Sequence, residues 1–169
     1  MSLRASGGKL NTMKHFNSPT YGQLSFEEVI EKIAGYIEEE GDSEYRVVIG
    51  TDSQTHNRTD VDFVSAIIVH RIGRGGIYFW QREKVKKPYA LRERMYEEAS
   101  RSMVLAQDFL QTFKNKVLEY DLEIHVDIGR LGETRAMINE VVGMIRGSGF
   151  KVKIKPEAYG AQSVADKYT

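Results

Sequence analysis

The chain has 169 residues, 24 of them basic and 24 acidic, so it carries no formal net charge. That excludes a uniformly basic nucleic-acid coat and leaves local patches open. Cysteine is absent, which removes disulfide scaffolds, thiolate zinc sites, thiol nucleophiles and iron–sulfur clusters together. The four histidines, His15, His56, His70 and His125, are not spaced like a zinc motif. The length fits one domain. No apolar run of about 18 residues exists to span a membrane. The opening MSLRASGGKL has no apolar centre of the secretory kind, so a cytoplasmic protein is expected.

Residues 1–24 are rich in Gly, Ser, Asn and Thr and are expected to be loosely ordered. Residues 25–44 hold eight acidic side chains against Lys32 alone. Ser25 followed three residues later by Glu28 is a capping box. Phe26, Ile30, Ile33, Ala34 and Ile37 recur at helical spacing, which predicts an amphipathic acidic helix that stops near Gly41. Residues 45–169 form the main domain. Tyr45 to Asp52 holds three consecutive apolar residues and reads as a strand buried on both faces. Val61 to Ile72 is rich in β-branched residues, and Ile77 to Arg82 holds three consecutive aromatic ones. With the Gly73–Gly76 turn between them, the three runs predict an antiparallel meander.

From Leu91 to about Leu118 the period changes to 3.6. Leu91, Met95, Ala99, Met103, Ala106, Leu110 and Phe113 mark the apolar face of a long helix, centred near Met103 and Ala106. Leu122 to Asp127 alternates as a fourth strand. Glu133 to Arg146 is a helix, and Phe150 to Lys155 is a fifth strand whose lysines suit a sheet edge. Gln162 to Tyr168 is expected to add one or two helical turns. The expected fold is α/β: a five-stranded mixed sheet, an antiparallel meander followed by β-α-β-α-β-α order, with helices on its faces and an extra N-terminal helix.

No phosphate-cradling GxxxxGK[ST] loop, GxGxxG strand–helix turn or GxSxG elbow occurs. What remains is carboxylates at the ends of elements. Asp52 ends the first strand of the meander and Asp127 ends the fourth strand. If those strands are parallel neighbours, both acids emerge at the edge where open α/β sheets place ligands. Two adjacent carboxylates repel unless a cation or a proton lies between them. Mg²⁺ or Mn²⁺ suits hard oxygen donors. On the long helix, Glu98 falls at the boundary of the apolar face and Glu97 points further towards solvent. Asp166 follows in the C-terminal segment.

These residues stand in GTDSQTH at 50–56, LRERMYEEASRS at 91–102, HVDIG at 125–129 and YGAQSVADK at 159–167. Together with the order of elements, the motifs resemble the ribonuclease H-like superfamily, and more closely its YkuK-like predicted RNase H-related nucleases. Ser53 stands where classical ribonucleases H often carry glycine, and no histidine lies in the loop before Asp166. The resemblance implies that Asp52, Glu98 (with Glu97 as fallback), Asp127 and Asp166 are the catalytic and metal-binding acids. It implies phosphodiester hydrolysis assisted by two Mg²⁺ or Mn²⁺ ions bridged by Asp52, with RNA, DNA or a hybrid as partner. The alternative is a catalytically inactive nucleic-acid-binding or regulatory module on the same fold. Residues 82–94 carry six basic and two acidic side chains. Lys84, Lys86, Lys87, Arg92 and Arg94 there are candidates for phosphate contact, with Tyr89 for base stacking. His56 is an auxiliary candidate.

Overall fold

In the computed structural model, residues 15–159 and 163–164 are described. The expected meander and the parallel fourth strand are present, in a sheet of seven strands rather than five. The strands are β1 (Phe16–Ser18), β2 (Gly22–Leu24), β3 (Tyr45–His56), β4 (Asp60–Arg71), β5 (Gly76–Val85), β6 (Asp121–His125) and β7 (Lys151–Lys153). Their order across the sheet is β2-β1-β5-β4-β3-β6-β7. β3, β4 and β5 form the antiparallel meander. β6 runs parallel to β3, and β7 parallel to β6. β7 is an edge strand and its Lys151 and Lys153 are exposed, a charge pattern that discourages pairing with another chain.

The two additional strands come from a segment whose composition reads as loose. Phe16 and Leu24 are isolated apolar residues among polar ones, yet both are buried. β1 joins β5 through the Asn17–Trp80 pair, and Tyr21 stacks on Phe79 at 6.0 Å. Two anchored rings and a leucine suffice to fix strands of only three residues, too short for alternation to reveal them.

Alternate strand residues Val47, Ile49, Ile67, Val69, Ile77, Phe79 and Ile124 share one core with the buried sides of three helices. These are α1 (Phe26–Glu39), α2 (Leu91–Phe113) and α3 (Ile138–Gly147), the last preceded by a 3-10 turn at Arg135–Met137. Helices were expected on the faces of the sheet; α1, α2 and α3 share one face, and the helical residues 163 and 164 lie on the other. The opposite face carries Val48, Ala66 and Ile68 with Tyr78 and Trp80, packed against Val164. Residues 163 and 164 are helical, and the rest of the expected closing turns, Asp166 included, lies outside the described residues. Among the described residues, no helix is long and apolar enough to cross a membrane.

The capping box at α1 is formed. Ser25 Oγ accepts the Glu28 N–H at 3.1 Å, and Ser25 N–H donates to Glu28 Oε1 at 3.4 Å. At the other end, Arg71 Nη2 donates to Tyr36 O at 2.8 Å, and its guanidinium lies 4.0 Å from the Tyr36 ring. Glu39 and Glu40 pair with Arg71, and Glu40 also with Arg74 at 2.7 Å. Cations from the β4–β5 turn thus offset both the carboxylates and the negative helix terminus they would otherwise aggravate.

Candidate metal centre

Register brings Asp52 and Asp127 side by side just past the last β3–β6 pair. β3 itself runs on to His56 in its pairing with β4, so Asp52 lies within the strand rather than ending it as expected, and Ser53 to His56 are extended rather than turn-like. β3 and β6 run parallel, with Gly50 opposite His125 as their last pair. Two residues further along each chain stand Asp52 and Asp127, on the same face of the sheet because side chains alternate with a period of two. Both are half-buried.

Of the two helix candidates, Glu98 is the buried one. The buried stripe of α2 is Met95, Ala99, Ser102, Ala106, Phe109 and Phe113, with Glu98 and Leu105 on its shoulder. The stripe is therefore centred on Ser102. Met103 is only partly buried and Leu110 is 38% exposed, so both lie off the centre expected from apolar spacing. The cause is a buried polar contact that a hydrophobicity wheel does not count. Ser102 Oγ donates to Thr51 Oγ1 at 3.1 Å, and Thr51 Oγ1 lies 2.8 Å from Ser65 Oγ. This hydroxyl chain joins α2 to β3 and β4 at the residue that precedes Asp52. It rotates the helix so that Glu98 is only 4% exposed, while Glu97 is half-buried and pairs with Arg101.

Burial pushes the Glu98 carboxyl up to about 8, against a hydrogen bond from Ser53 that favours the charged form. The negative fields of Asp52 and Asp127 push the same way as burial, and Arg94 opposes them. The Ser53 hydroxyl donates to Glu98 Oε1. Arg94 Nη1 reaches Ser53 O at 3.5 Å and Ser53 Oγ at 3.4 Å. Near neutral pH, Glu98 is thus held largely as the neutral acid, the usual outcome for a carboxyl that is both desolvated and repelled.

Asp127 has a cation already. Lys155 Nζ lies 2.5 Å from Asp127 Oδ1. That oxygen is buried and accepts no aligned hydrogen bond. Just upstream, burial lowers the pKa of His125. The Tyr159 amide donates to His125 Nδ1 at 3.1 Å, so the ring proton sits on Nε2, 2.8 Å from Glu123 Oε1.

The donor chemistry fits a hard divalent ion. A buried carboxylate oxygen without a hydrogen bond and a desolvated carboxyl between two negative fields are both relieved by such an ion. Among the described residues, however, no group of three or more acidic or histidine side chains stands close enough to hold one.

The remaining candidates lie around this centre. His56 is four extended residues beyond Asp52, roughly 13 Å along the strand. Its Nε2 lies 3.1 Å from Asp62 Oδ2, and Arg82 donates to the same oxygen from Nη2 at 2.8 Å and Nε at 3.1 Å. Asp62 is only 1% exposed, and nothing in its sequence context singled it out. Arg92 is tied to Glu140 at 2.6 Å, and Lys84 stands 3.8 Å from Asp60. Tyr89 packs edge-on to Phe63, with the Lys87 ammonium 4.8 Å from its ring centre. Lys86 is exposed. Arg94, read as a phosphate contact, stands at the acid cluster itself. Lys155 and Ser53 were not read as site residues. Lys155 was masked by its place in an alternating lysine strand, and Ser53 by its small polar character.

A mixed sheet packed against helices, with this order of elements, is consistent with a ribonuclease H-like architecture. The ribonuclease H-like family profile matches residues 28–169, and the chain belongs to that family. It is 31% identical over 166 residues to the uncharacterized protein YkuK of Bacillus subtilis (strain 168), covering 91% of this chain and 96% of that protein. No solved structure matches the chain.

Proposed function

We propose that this protein is a divalent-metal-dependent nuclease that hydrolyses phosphodiester bonds in RNA or DNA. The observation that carries this reading is a buried glutamic acid on a helix, Glu98, within the electrostatic reach of two aspartates that stand just past the last pair of the parallel strands β3 and β6. Family membership supports it independently.

In this reading Asp52, Glu98, Asp127 and Asp166 would hold Mg²⁺ or Mn²⁺. The bound ions would lower the pKa of an attacking water and stabilise the leaving oxygen. Ser53 fixes the rotamer of Glu98 by donating to it, and Arg94 steadies Ser53 in turn. Glu98 would have to give up its proton to hold a cation, since only the carboxylate is a ligand. Lys86 and Lys87, exposed in the connection between β5 and α2, would meet substrate phosphates, and the charge they neutralise would appear as salt-dependent binding.

A binding module without catalysis is the second reading. It is favoured by the ion pair between Lys155 and Asp127, which neutralises one of the acids without any metal. The deciding experiment incubates single-stranded RNA, single-stranded DNA and an RNA–DNA hybrid with the protein in Mn²⁺. Cleavage by the wild type that is lost in Asp52→Asn and Asp127→Asn supports the nuclease. Oligonucleotide binding with no cleavage in any of the three supports the module.

A further inference from the structure

We propose that Lys155 is the resident counter-ion of Asp127 and competes with a divalent cation for that carboxylate. The inference rests on the reading of Asp127 as a cation ligand and adds a residue that sets how readily the ion binds.

The placement of Lys155 is built into the sheet. Glu123 stands opposite Lys151 and His125 opposite Lys153 in the parallel β6–β7 pair. The pairing continues beyond the strands through Val126 N–H to Lys153 O at 3.0 Å and Lys155 N–H to Ile128 O at 2.9 Å. The next step of this two-residue ladder sets Lys155 beside Asp127. The lysine stem runs past Gly129, where a Cβ would meet Lys155 Cβ and Cδ at 3.6 Å. The ammonium then reaches Asp127 Oδ1 at 2.5 Å. Backbone hydrogen bonds, rather than a long flexible reach across solvent, bring the ammonium to the carboxylate.

The ion pair and a metal ion make the same demand on the same oxygen. Asp127 Oδ1 is buried and accepts no aligned hydrogen bond, so its charge is answered by the ammonium. A divalent ion bound there would stand within a few ångströms of that ammonium, and like charges at such a distance repel strongly at the reduced dielectric of a protein. Ion entry therefore requires the lysine to leave. Its side chain is 45% exposed, so it can swing into solvent without opening the core.

The test is Mn²⁺ binding by isothermal titration calorimetry on the full chain, comparing wild type with Lys155→Met, Lys155→Gln and Lys155→Arg. The two neutral variants are expected to bind Mn²⁺ at least tenfold more tightly than wild type, while the arginine variant stays within about twofold of it. The gain should vanish when Lys155→Met is combined with Asp127→Asn. Wild-type binding with unchanged or weaker affinity in both neutral variants overturns the competition and leaves the carboxylate site standing. Absence of Mn²⁺ binding in the wild type and in all three single variants overturns both this inference and the metal-dependent reading beneath it. Two neutral replacements of different polarity are used so that a folding defect in one leaves the comparison to the other.

Discussion

Replacing Glu98 by glutamine removes a single proton-binding group and keeps its shape, so the variant isolates what that group does to the fold. With the folded-state pKa raised from 4.5 to about 8, the native protein binds this proton more tightly than the unfolded chain does. Its stabilising effect is complete below pH 4.5, the unfolded value, and is lost progressively as pH rises to about 8. Each pKa unit corresponds to about 1.4 kcal/mol, so the full span is at most roughly 5 kcal/mol. The glutamine carbonyl can still accept from Ser53, and it never ionises. The assay is urea denaturation of wild type and Glu98→Gln at pH 5, 6, 7, 8 and 8.5 with a chelator present, so that no metal ion masks the charge. The glutamine variant is expected to be close to wild type at pH 5 and more stable than it by at least 2 kcal/mol at pH 8.5, a margin taken as about half the full span. A stability difference that stays flat across this range would refute the claim that Glu98 is a buried acid repelled by Asp52 and Asp127.

Other expectations follow from the same contacts. Ser102→Ala breaks the hydroxyl chain to Thr51 and Ser65 and should cost about 1–2 kcal/mol in urea denaturation, the usual penalty for a lost buried hydrogen bond with a partner left behind. Ser25→Ala removes the cap on α1 and should cost about 1 kcal/mol, with faster amide exchange confined to the first turn of that helix. In thermal denaturation, millimolar Mn²⁺ should raise the midpoint of the wild type, with the rise reduced or abolished in Asp52→Asn.

The parts of this molecule that patterning made legible are those where one physical signal dominates. The apolar run at Val47–Ile49 announced a strand covered on both faces, and the β-branched runs after it announced the meander. The lysines of β7 marked an edge. Asp52 and Asp127 could be placed together because parallel pairing follows from strand order. Glu98 was assigned to the boundary of its helix face and is in fact buried, because Ser102, a polar residue, occupies the centre of that face. The wheel built from apolar residues was therefore turned too far towards Leu110. α2 also ends at Phe113, short of the expected Leu118. β1 and β2 were illegible because three-residue strands leave no period to read, and their stability comes from rings brought to them by β5 and α1. Lys155 was hidden for a related reason. Its role depends on the neighbour that pairing supplies, and no spacing within its own segment reveals that neighbour.

The segregation of α1, α2 and α3 on one side of the sheet has a practical consequence. The sole tryptophan of the chain, Trp80, lies on the opposite side, partly buried in the small cluster closed by Val164. Its emission can therefore be read as a channel separate from the far-ultraviolet dichroism of α1, α2 and α3. Undocking of Val164 would shift the fluorescence to the red while the dichroism stayed constant, and global unfolding would move both signals together.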